Sequence, residues 1–271
     1  MKIYRTPTGV NVHSDRRWHS VRDFSFDRLF REREPLRWLR ERLTDGGREP
    51  RPGELPPPLE SQEVWAAGVT YLRSREARME ESEREADVYD RVYDADRPEL
   101  FFKATAPRVV GQGGEVRIRA DSSWNVPEAE LAVAVNSYGD IIGYSIGNDM
   151  SSRSIEGENP LYLPQAKIYD GSCALGPCLF LAEKPLPPST KVYLQITRGE
   201  SEVFSGCARL AQMKRTLQEL VEHLYRECSF PNGCYLLTGT GIVPERGFTL
   251  ASGDVIEINI EPIGTLSNRV A

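Results

Sequence analysis

Residues 124–149, WNVPEAELAVAVNSYGDIIGYSIGND, carry the clearest structural pattern in the chain. It contains two apolar, β-prone runs separated by the turn residues 136–140, a pattern typical of a β-hairpin. Glu128 and Glu130 are two positions apart in the first run, and side chains at i and i+2 of a strand point to the same face. Asp149 ends the second run, so a hairpin would bring it to the level of Glu128.

These acidic residues suggest a metal site. Three carboxylates held close together repel one another unless a cation lies between them. A set of ligands made only of oxygen suits Mg²⁺ better than Zn²⁺. The alternative is that Glu128 and Glu130 form the solvated face of an edge strand. The E-x-E spacing taken alone favours that alternative because it is common.

Composition narrows the class of protein. The chain has 271 residues, of which 39% are hydrophobic and 27% charged, as expected of a soluble globular protein with a sizeable core. No apolar run approaches the length of a membrane span, and MKIYRTPTGV lacks the apolar segment of a secretory signal. The net charge of −6 and pI of about 5.4 argue against nucleic acid as the main partner. Five cysteines, an odd number without a signal, are typical of reduced thiols in a cytoplasmic protein.

A linker divides the chain. Residues 48–58, REPRPGELPPP, are rich in proline, which predicts a linker between a small N-terminal domain and the rest. We therefore expect an N-terminal domain with its linker at residues 1–58 and a catalytic domain at residues 59–271. Within the first, a helix is predicted over residues 26–43, with Pro35 interrupting it.

The main domain opens with the apolar run 64–70, which predicts a buried strand, and the charged run after it predicts a helix from about Ser74. Loops at the ends of buried strands often carry chemistry. Tyr71, Arg73 and Arg75 are therefore candidate substrate contacts.

Three further segments carry candidate site residues. Glu99 and Lys103 flank the apolar residues LFF, and half-buried charges need partners and often have shifted pKa values. Lys167 lies in a long, irregular segment rich in Gly and Pro after Asp149. Such a loop usually serves a site, although a lone lysine is normally exposed. The TGTG sequence at 238–241 either presents N–H groups and hydroxyls to an anion or is an ordinary turn.

The rest of the chain is predominantly β. We predict a hairpin from residues 191–198 and 202–204, strands at 234–237 and 255–260, and one helix from the capping box at Thr216 to about Cys228. Short strands with few helices predict a β-rich α+β fold, with the site at an open end of the sheets.

Five motifs together resemble the fumarylacetoacetate hydrolase superfamily over residues 64–271: WNVPEAELAVAV, SIGNDMSSR, QAKIYDGSCALGP, LLTGTGIVP and LASGDVIEINIEPIGTLSNRV. The resemblance implies a mixed β-roll catalytic domain that forms a homodimer, binds Mg²⁺ (or Mn²⁺ or Ca²⁺) and acts on a small 2-oxo or β-dicarbonyl acid. It implies Glu128, Glu130 and Asp149 as the metal ligands. It also implies Lys167 as the active-site lysine and Thr240 as the threonine that holds the substrate carboxylate.

One departure separates the chain from the hydrolases of that superfamily. They carry a histidine shortly after the first domain strand, whereas the corresponding GVTYLRSREAR has none, and His13, His19 and His223 lie elsewhere. The chain is most similar to the branch of 2-keto-3-deoxy-D-arabinonate dehydratase type, which also lacks this histidine and resembles it in PELFFK and NPLYLPQAK. In that branch a glutamate at the position of Glu99 lies in the site.

The resemblance leads to an expected reaction, the metal-dependent dehydration of a 2-keto-3-deoxy sugar acid of pentonate type through a metal-stabilised enolate. Glu99 would remove the C3 proton and Lys167 would pair with enolate or carboxylate oxygens. Tyr71 and Arg75 would orient the distal hydroxyls, and Thr240 would bind the carboxylate. Two alternatives remain at this point: a C–C hydrolase or decarboxylase on the same scaffold, and a non-catalytic binding protein that keeps the fold.

Overall fold

A computed structural model describes residues 1–51, 53, 55–81 and 86–271. The strands of the first half are β1 (Lys2–Thr6), β2 (Gly9–Ser14), β3 (Arg17–Val21), β4 (Leu43–Thr44), β5 (Glu63–Gly68), β6 (Glu99–Ala104), β7 (Val109–Val110), β8 (Glu115–Val116) and β9 (Asn125–Val126). Those of the second half are β10 (Ala129–Val135), β11 (Ile141–Asp149), β12 (Ser151–Ser152), β13 (Cys173–Leu181), β14 (Lys191–Arg198), β15 (Ser201–Arg209), β16 (Cys234–Leu237), β17 (Val255–Ile260) and β18 (Gly264–Val270). The α-helices are α1 (Phe26–Leu29), α2 (Pro35–Arg40), α3 (Leu72–Glu81), α4 (Ala86–Asp94), α5 (Arg153–Glu158), α6 (Leu163–Lys167) and α7 (Leu217–Tyr225).

Most strands belong to two sheets. The larger is eleven-stranded, with the order β4-β3-β2-β1-β13-β11-β10-β16-β5-β6 and β7 beside β13. The smaller is five-stranded, with the order β15-β14-β17-β18-β8, while β9 and β12 form a separate pair. The predicted β-rich α+β architecture is confirmed.

The predicted hairpin is formed by β10 and β11, in which Glu130 lies opposite Gly147. Just before the start of β10, the backbones of Glu128 and Asp149 exchange two hydrogen bonds of 3.2 and 3.0 Å. Because β10 has β16 on its other side, it is an interior strand and its residues are buried. The edge-strand alternative is therefore wrong.

The two faces of β10 pack against different parts of the protein. Leu131 and Val133 point into the core shared with the five-stranded sheet. Ala132 and Ala134 point to the other face, where the apolar side chains of α1 and α2 cover them. By strand alternation Glu128 and Glu130 belong to this second face. The acidic residues thus occupy one end of a face whose other end is sealed by the N-terminal segment.

The N-terminal segment joins the main sheet directly. Strand β1 pairs with β13, with Lys2 opposite Phe180, and Leu55 within the predicted linker pairs with Gln112. Phe30 is fully buried, with its ring centroid 5.3 Å from that of Tyr235. The division into domains at 1–58 and 59–271 stays a prediction, and a continuous sheet and a shared core cross that boundary.

Several predicted elements differ from the observed ones in extent. The helix expected over 26–43 is instead the two short helices α1 and α2. Pro35 is the first residue of α2, a position at which the backbone N–H that proline lacks would have no partner within the helix. The helix expected from Ser74 begins at Leu72 and is described as α3 and α4, and residues 82–85 of the predicted run lie outside the described residues. Helix α7 ends at Tyr225 rather than near Cys228.

Two regions hold more regular structure than expected. The segment after Asp149, predicted to be irregular, contains α5 and α6 with a 3₁₀ turn between them, so Lys167 ends a helix. Strand β15, expected at 202–204, extends over nine residues. Among the described residues, no helix combines the length and the apolar character needed to cross a membrane.

Candidate active site

The three acidic residues of the hairpin converge. One carboxylate oxygen from each of Glu128, Glu130 and Asp149 lies within 4.8 Å of the others, and all three side chains are buried. The backbone ladder sets this geometry, because Glu128 is paired with Asp149 and Glu130 follows two positions along the same face. A buried cluster of oxygen donors is the chemistry of a hard divalent cation such as Mg²⁺ or Ca²⁺.

Lys167 lies against this cluster. Its Nζ is 3.0 Å from Asp149 Oδ2, 3.0 Å from Glu128 Oε2 and 2.6 Å from Ser151 Oγ. The side chain is almost completely buried, and its ammonium lies 5.6 Å from the centre of the Phe101 ring. The exposed lysine considered from the sequence is therefore the wrong description of Lys167.

A second buried lysine supports the cluster from β6. Lys103 is fully buried, its Nζ is 2.6 Å from Asp149 Oδ1, and it donates hydrogen bonds to the carbonyls of Met150 and Lys167. The sequence marks Lys103 as a charge beside an apolar run, but its partner Asp149 is 46 positions away, and no local pattern reveals that contact. Lys103 thereby ties the C-terminal end of α6 to Asp149.

The electrostatics of the cluster favour a cation. Burial raises the pKa of Glu130 well above its ordinary value, the charges of Asp149 and Glu128 raise it further, and Lys167 opposes them only in part. Burial also raises the pKa of Asp149, but the adjacent ammonium groups of Lys103 and Lys167 outweigh burial and hold it below its ordinary value. A divalent ion among these oxygens would favour the charged form of every member.

A narrow cavity opens beside the cluster. Its lining is mixed, with apolar, hydroxyl and charged groups, and consists of Ala67, Gly68, Val69, Ser74, Glu99, Phe101, Glu128, Arg153, Glu156, Lys167, Gly239 and Thr240. Its free volume is about 20 Å³, close to the roughly 10–15 Å³ that a single water molecule needs. A larger ligand therefore requires the surrounding side chains to move.

Glu99 reaches this cavity because its neighbour across the sheet is a glycine. Glu99 is the first residue of β6 and lies opposite Gly68 of β5. A Cβ at Gly68 would overlap Oε2 of Glu99, so only glycine leaves the carboxylate in place. Phe101 lines the same cavity, which gives Glu99 a partly apolar environment.

The TGTG sequence contacts the acidic cluster. The backbone N–H of Gly239 donates a 2.5 Å hydrogen bond to Glu130 Oε2. Thr240 lines the cavity, and its Oγ1 accepts a hydrogen bond from the N–H of Ile242 (3.1 Å) and donates one to the carbonyl of the same residue (3.3 Å). The segment therefore presents an N–H group to an anionic side chain and a threonine to the cavity.

Two residues on α5 line the cavity but were not predicted from the sequence. Arg153 and Glu156 are three positions apart, both are buried, and both line the cavity. Arg153 Nη2 is 2.9 Å from Glu128 Oε1, and its Nη1 is 4.0 Å from Glu156 Oε2. The available signal was the i,i+3 spacing of arginine and glutamate, but it required a helix where an irregular segment was predicted.

The candidates just after β5 fall outside the cavity lining. The ring of Tyr71 lies beside Gly241 in the main core. Arg75 Nε donates to Asp90 Oδ1 at 2.8 Å, and Arg73 lies 3.9 Å from Glu76. Of the described residues 71–75, Ser74 alone lines the cavity. The three histidines lie in β2, β3 and α7, and none of them lines it.

Comparison with known proteins agrees with this geometry. The model of the fumarylacetoacetate (FAA) hydrolase C-terminal family matches residues 63–271. The chain therefore belongs to the fumarylacetoacetate hydrolase family.

Two curated relatives within this family are both sugar acid dehydratases. The chain is 49% identical over 214 residues to a probable 2-keto-3-deoxyxylonate dehydratase of Haloferax volcanii, covering 79% of this chain and 73% of that protein. It is 44% identical over 217 residues to the 2-dehydro-3-deoxy-D-arabinonate dehydratase of Saccharolobus solfataricus, with the same coverage. Among solved structures, it resembles a 2-keto-3-deoxy-D-arabinonate dehydratase complexed with magnesium and 2,5-dioxopentanoate, with a TM-score of 0.84, 34% identity, and coverage of 100% of this chain and 98% of that one.

Proposed function

We propose that this protein is a divalent-metal-dependent dehydratase of 2-keto-3-deoxy sugar acids of the pentonate type. The two dehydratases at 49% and 44% identity support the substrate class. The observation that carries the proposal is the buried cluster of Glu128, Glu130 and Asp149, which shares a cavity with Lys167 and Glu99.

The metal is Mg²⁺, held by Glu128, Glu130 and Asp149. The oxygen-only donor set fits it, and the related dehydratase structure contains magnesium. When bound, the ion supplies Lewis acidity that polarises the 2-oxo group and acidifies the hydrogens on C3.

Glu99 is the base that takes a proton from C3. It lies in the cavity beside Phe101, on the same cavity wall as the acidic cluster that would hold the substrate. Lys167 neutralises the negative charge that develops on substrate oxygens next to the cluster. Gly68 positions Glu99 by leaving space for its carboxylate.

Thr240 lines the cavity beside Gly239, and its hydroxyl binds the substrate carboxylate after turning away from the carbonyl of Ile242. The assignment of Tyr71 and Arg75 to the distal hydroxyls stays a prediction. It requires both side chains to turn into the cavity from their present positions beside Gly241 and Asp90.

We also propose a homodimer working in the cytoplasm. The homodimer comes from the family resemblance alone, and light scattering after size exclusion tests it, with a monomeric mass contradicting it. The cytoplasmic assignment is supported by the five cysteines, all of which are free thiols.

One assay separates dehydration from C–C cleavage. The protein is incubated with Mg²⁺ and either 2-keto-3-deoxypentonates or acylpyruvates, and release of 2,5-dioxopentanoate is followed against release of pyruvate. We expect the protein to form 2,5-dioxopentanoate, a semialdehyde, from the sugar acid. Addition of EDTA should stop this reaction. Pyruvate from the acylpyruvates without any semialdehyde would contradict the proposal and favour a hydrolase.

A further inference from the structure

The proposed dehydration leaves one proton unassigned. Glu99 removes a proton from C3, but the hydroxyl on C4 is a poor leaving group unless it is protonated as its bond to carbon breaks. Some group in the cavity must donate that proton. The inference that follows rests on the proposed function and adds a second catalytic residue to it.

Most groups in the cavity that could donate a proton already bind another atom or have another role in the reaction. Lys167 has three oxygens within 3.0 Å, all on the side of the acidic cluster. Ser74 Oγ donates to the carbonyl of Tyr71 at 2.7 Å, and the hydroxyl of Thr240 is assigned to the substrate carboxylate. Arg153 is a guanidinium, which does not give up its proton near neutral pH. Glu99 is itself the base.

Glu156 is the carboxyl group in the cavity that has no role in the scheme so far. It lies on α5, whose Arg153 and Glu156 are buried while Gly157 and Glu158 are exposed. Its Oε2 lies 4.0 Å from Nη1 of Arg153, and this contact offsets part of the cost of burying the carboxyl group. Its neighbour Arg153 also contacts Glu128, so α5 is docked against the proposed metal ligands.

The shared cavity brings the two carboxyl groups to the same bound molecule. Glu99 and Glu156 both line it, so a substrate that enters as the surrounding side chains move lies against both. C3 and C4 are adjacent atoms, so a base for one and an acid for the other must face the same few ångströms. Glu99 comes from β6 and Glu156 from α5, so two separate elements deliver them.

We propose that Glu156 is the general acid that protonates the departing C4 hydroxyl. Glu99 takes the proton from C3, and the electron pair of that C–H bond forms the C3–C4 double bond. The C4–O bond breaks with its electron pair on oxygen, and the carboxylic acid of Glu156 gives its proton to that oxygen. Water leaves together with 5-hydroxy-2-oxopent-3-enoate, which becomes its isomer 2,5-dioxopentanoate by losing a proton from C5 and gaining one at C3. Glu99 has gained one proton and Glu156 has lost one, so the net passage of a proton from Glu99 to Glu156 through solvent restores both groups.

The first test compares two substitutions on one helix. Glu156→Gln keeps the shape and burial of the side chain but cannot donate as an acid, and we expect dehydration to slow by about 10²–10⁴-fold, the usual range for general acid catalysis. Glu158→Gln removes a charge from an exposed position two residues away and should leave the rate within about twofold. Glu156→Asp, a shorter acid, should give an intermediate rate, which keeps the test valid if the glutamine variant folds poorly. Dehydration by Glu156→Gln at the wild-type rate overturns the proposal.

The second test uses a leaving group that needs no proton. Fluoride leaves as a stable anion, so 4-fluoro-2-oxobutyrate requires the C3 base but not the C4 acid. We expect Glu156→Gln to release fluoride, followed with a fluoride electrode, within about threefold of the wild-type rate, whereas Glu99→Gln loses fluoride release and dehydration together. If Glu156→Gln slows both reactions equally, Glu156 is structural and the proposal fails.

A third readout keeps this inference separate from the proposed function. In D₂O with Mg²⁺, exchange of the C3 hydrogens of 2-oxobutyrate reports removal of the proton alone, because that acid has no C4 hydroxyl. Failure of the wild-type protein to exchange and to dehydrate refutes the proposed function itself. Exchange by Glu156→Gln within about tenfold of wild type, with dehydration lost, supports the assignment, and loss of both in that variant refutes it.

Discussion

Among single residues, Glu130 is the carboxyl group whose charged form a bound metal ion would stabilise, because its pKa is raised in the folded protein. It is buried beside Asp149 and Glu128, and both burial and these neighbours raise its pKa. A bound ion therefore relieves repulsion that the folded protein otherwise carries. The related magnesium-bound dehydratase makes Mg²⁺ the ion to test.

The first prediction concerns metal-linked stability. Mg²⁺ at 100 times its dissociation constant should stabilise the wild-type protein by about 2.7 kcal/mol, because it binds the folded state alone. Glu130→Ala, which removes a proposed ligand, should abolish this gain, and differential scanning fluorimetry with and without EDTA measures it. Glu115→Gln, at an exposed position in β8, is the matched control and should retain it. An equal gain in both variants would mean that the ion binds elsewhere.

The second prediction concerns the glycine opposite the proposed base. Gly68→Ala places a methyl group where the Glu99 carboxylate lies. Displacement of a catalytic group by about 1 Å costs on the order of 10²-fold in rate, so kcat should fall by about that factor. The Mg²⁺-induced shift in melting temperature should stay unchanged, since the substitution leaves the three proposed ligands Glu128, Glu130 and Asp149 in place. Full activity in Gly68→Ala would contradict the assignment of Glu99.

At the scale of the elements, one buried carboxylate joins the end of β14 to the turn before β17. Asp254 accepts hydrogen bonds from Arg198 Nε at 2.7 Å, Arg198 Nη2 at 2.8 Å and the N–H of Ala251 at 2.9 Å. Burial raises its pKa, but the bonds from Arg198 and Ala251 outweigh burial and hold the pKa below the ordinary value.

The third prediction follows from the sign of that shift. A carboxyl whose pKa is lower in the folded state stabilises the fold at pH values above its unfolded pKa, near 3.9, and loses this contribution as the pH falls through the folded value. Asp254→Asn should cost about 1–2 kcal/mol at pH 7, the lower part of the range for charged hydrogen bonds because Arg198 is half exposed. The difference from wild type should shrink below about pH 4.

Thermal unfolding of Asp254→Asn and the wild-type protein at pH 7 and at pH 3 measures the difference in stability between them. Asp121→Asn is the control, since Asp121 pairs with Arg119 at the exposed surface, where solvent screens the pair. A difference between Asp254→Asn and wild type that grows on acidification would contradict the assigned direction.

Sequence patterns predicted these elements unequally. The β10–β11 hairpin was predictable because alternation, turn residues and strand length agreed. Helices α5 and α6 were not, because five- and six-residue helices depend on tertiary packing rather than propensity.

The same limit applies to the site. The positions of Glu128, Glu130 and Asp149 followed from local strand geometry. The contact between Lys103 and Asp149, and the presence of Glu156 in the cavity, depend on how distant elements pack, and no local spacing encodes that.

At the scale of the whole molecule, the N-terminal segment shares a core with the main sheet. Phe30 packs against Tyr235, and its carbonyl accepts a hydrogen bond of 2.8 Å from the N–H of Ser137, in the turn of the β10–β11 hairpin. The segment therefore contacts the hairpin that carries the acidic cluster.

The fourth prediction concerns this shared core. Phe30→Ala should destabilise the protein by about 3–5 kcal/mol, the usual cost of truncating a buried phenylalanine. Unfolding should remain one transition, because the segment and the main sheet bury the same surface. Leu161→Ala, at a leucine that is 84% exposed, is the control and should be neutral. Calorimetry showing a second transition that Phe30→Ala leaves unmoved would instead support an independent unit at residues 1–58.

The mutual backbone hydrogen bonds of Glu128 and Asp149 have a consequence for the history of such enzymes. The main chain itself holds these two residues side by side, so other groups around the cavity can be exchanged without displacing them. New reactions on this scaffold can thus arise by substitution of a few residues of the cavity wall while the acidic cluster is retained.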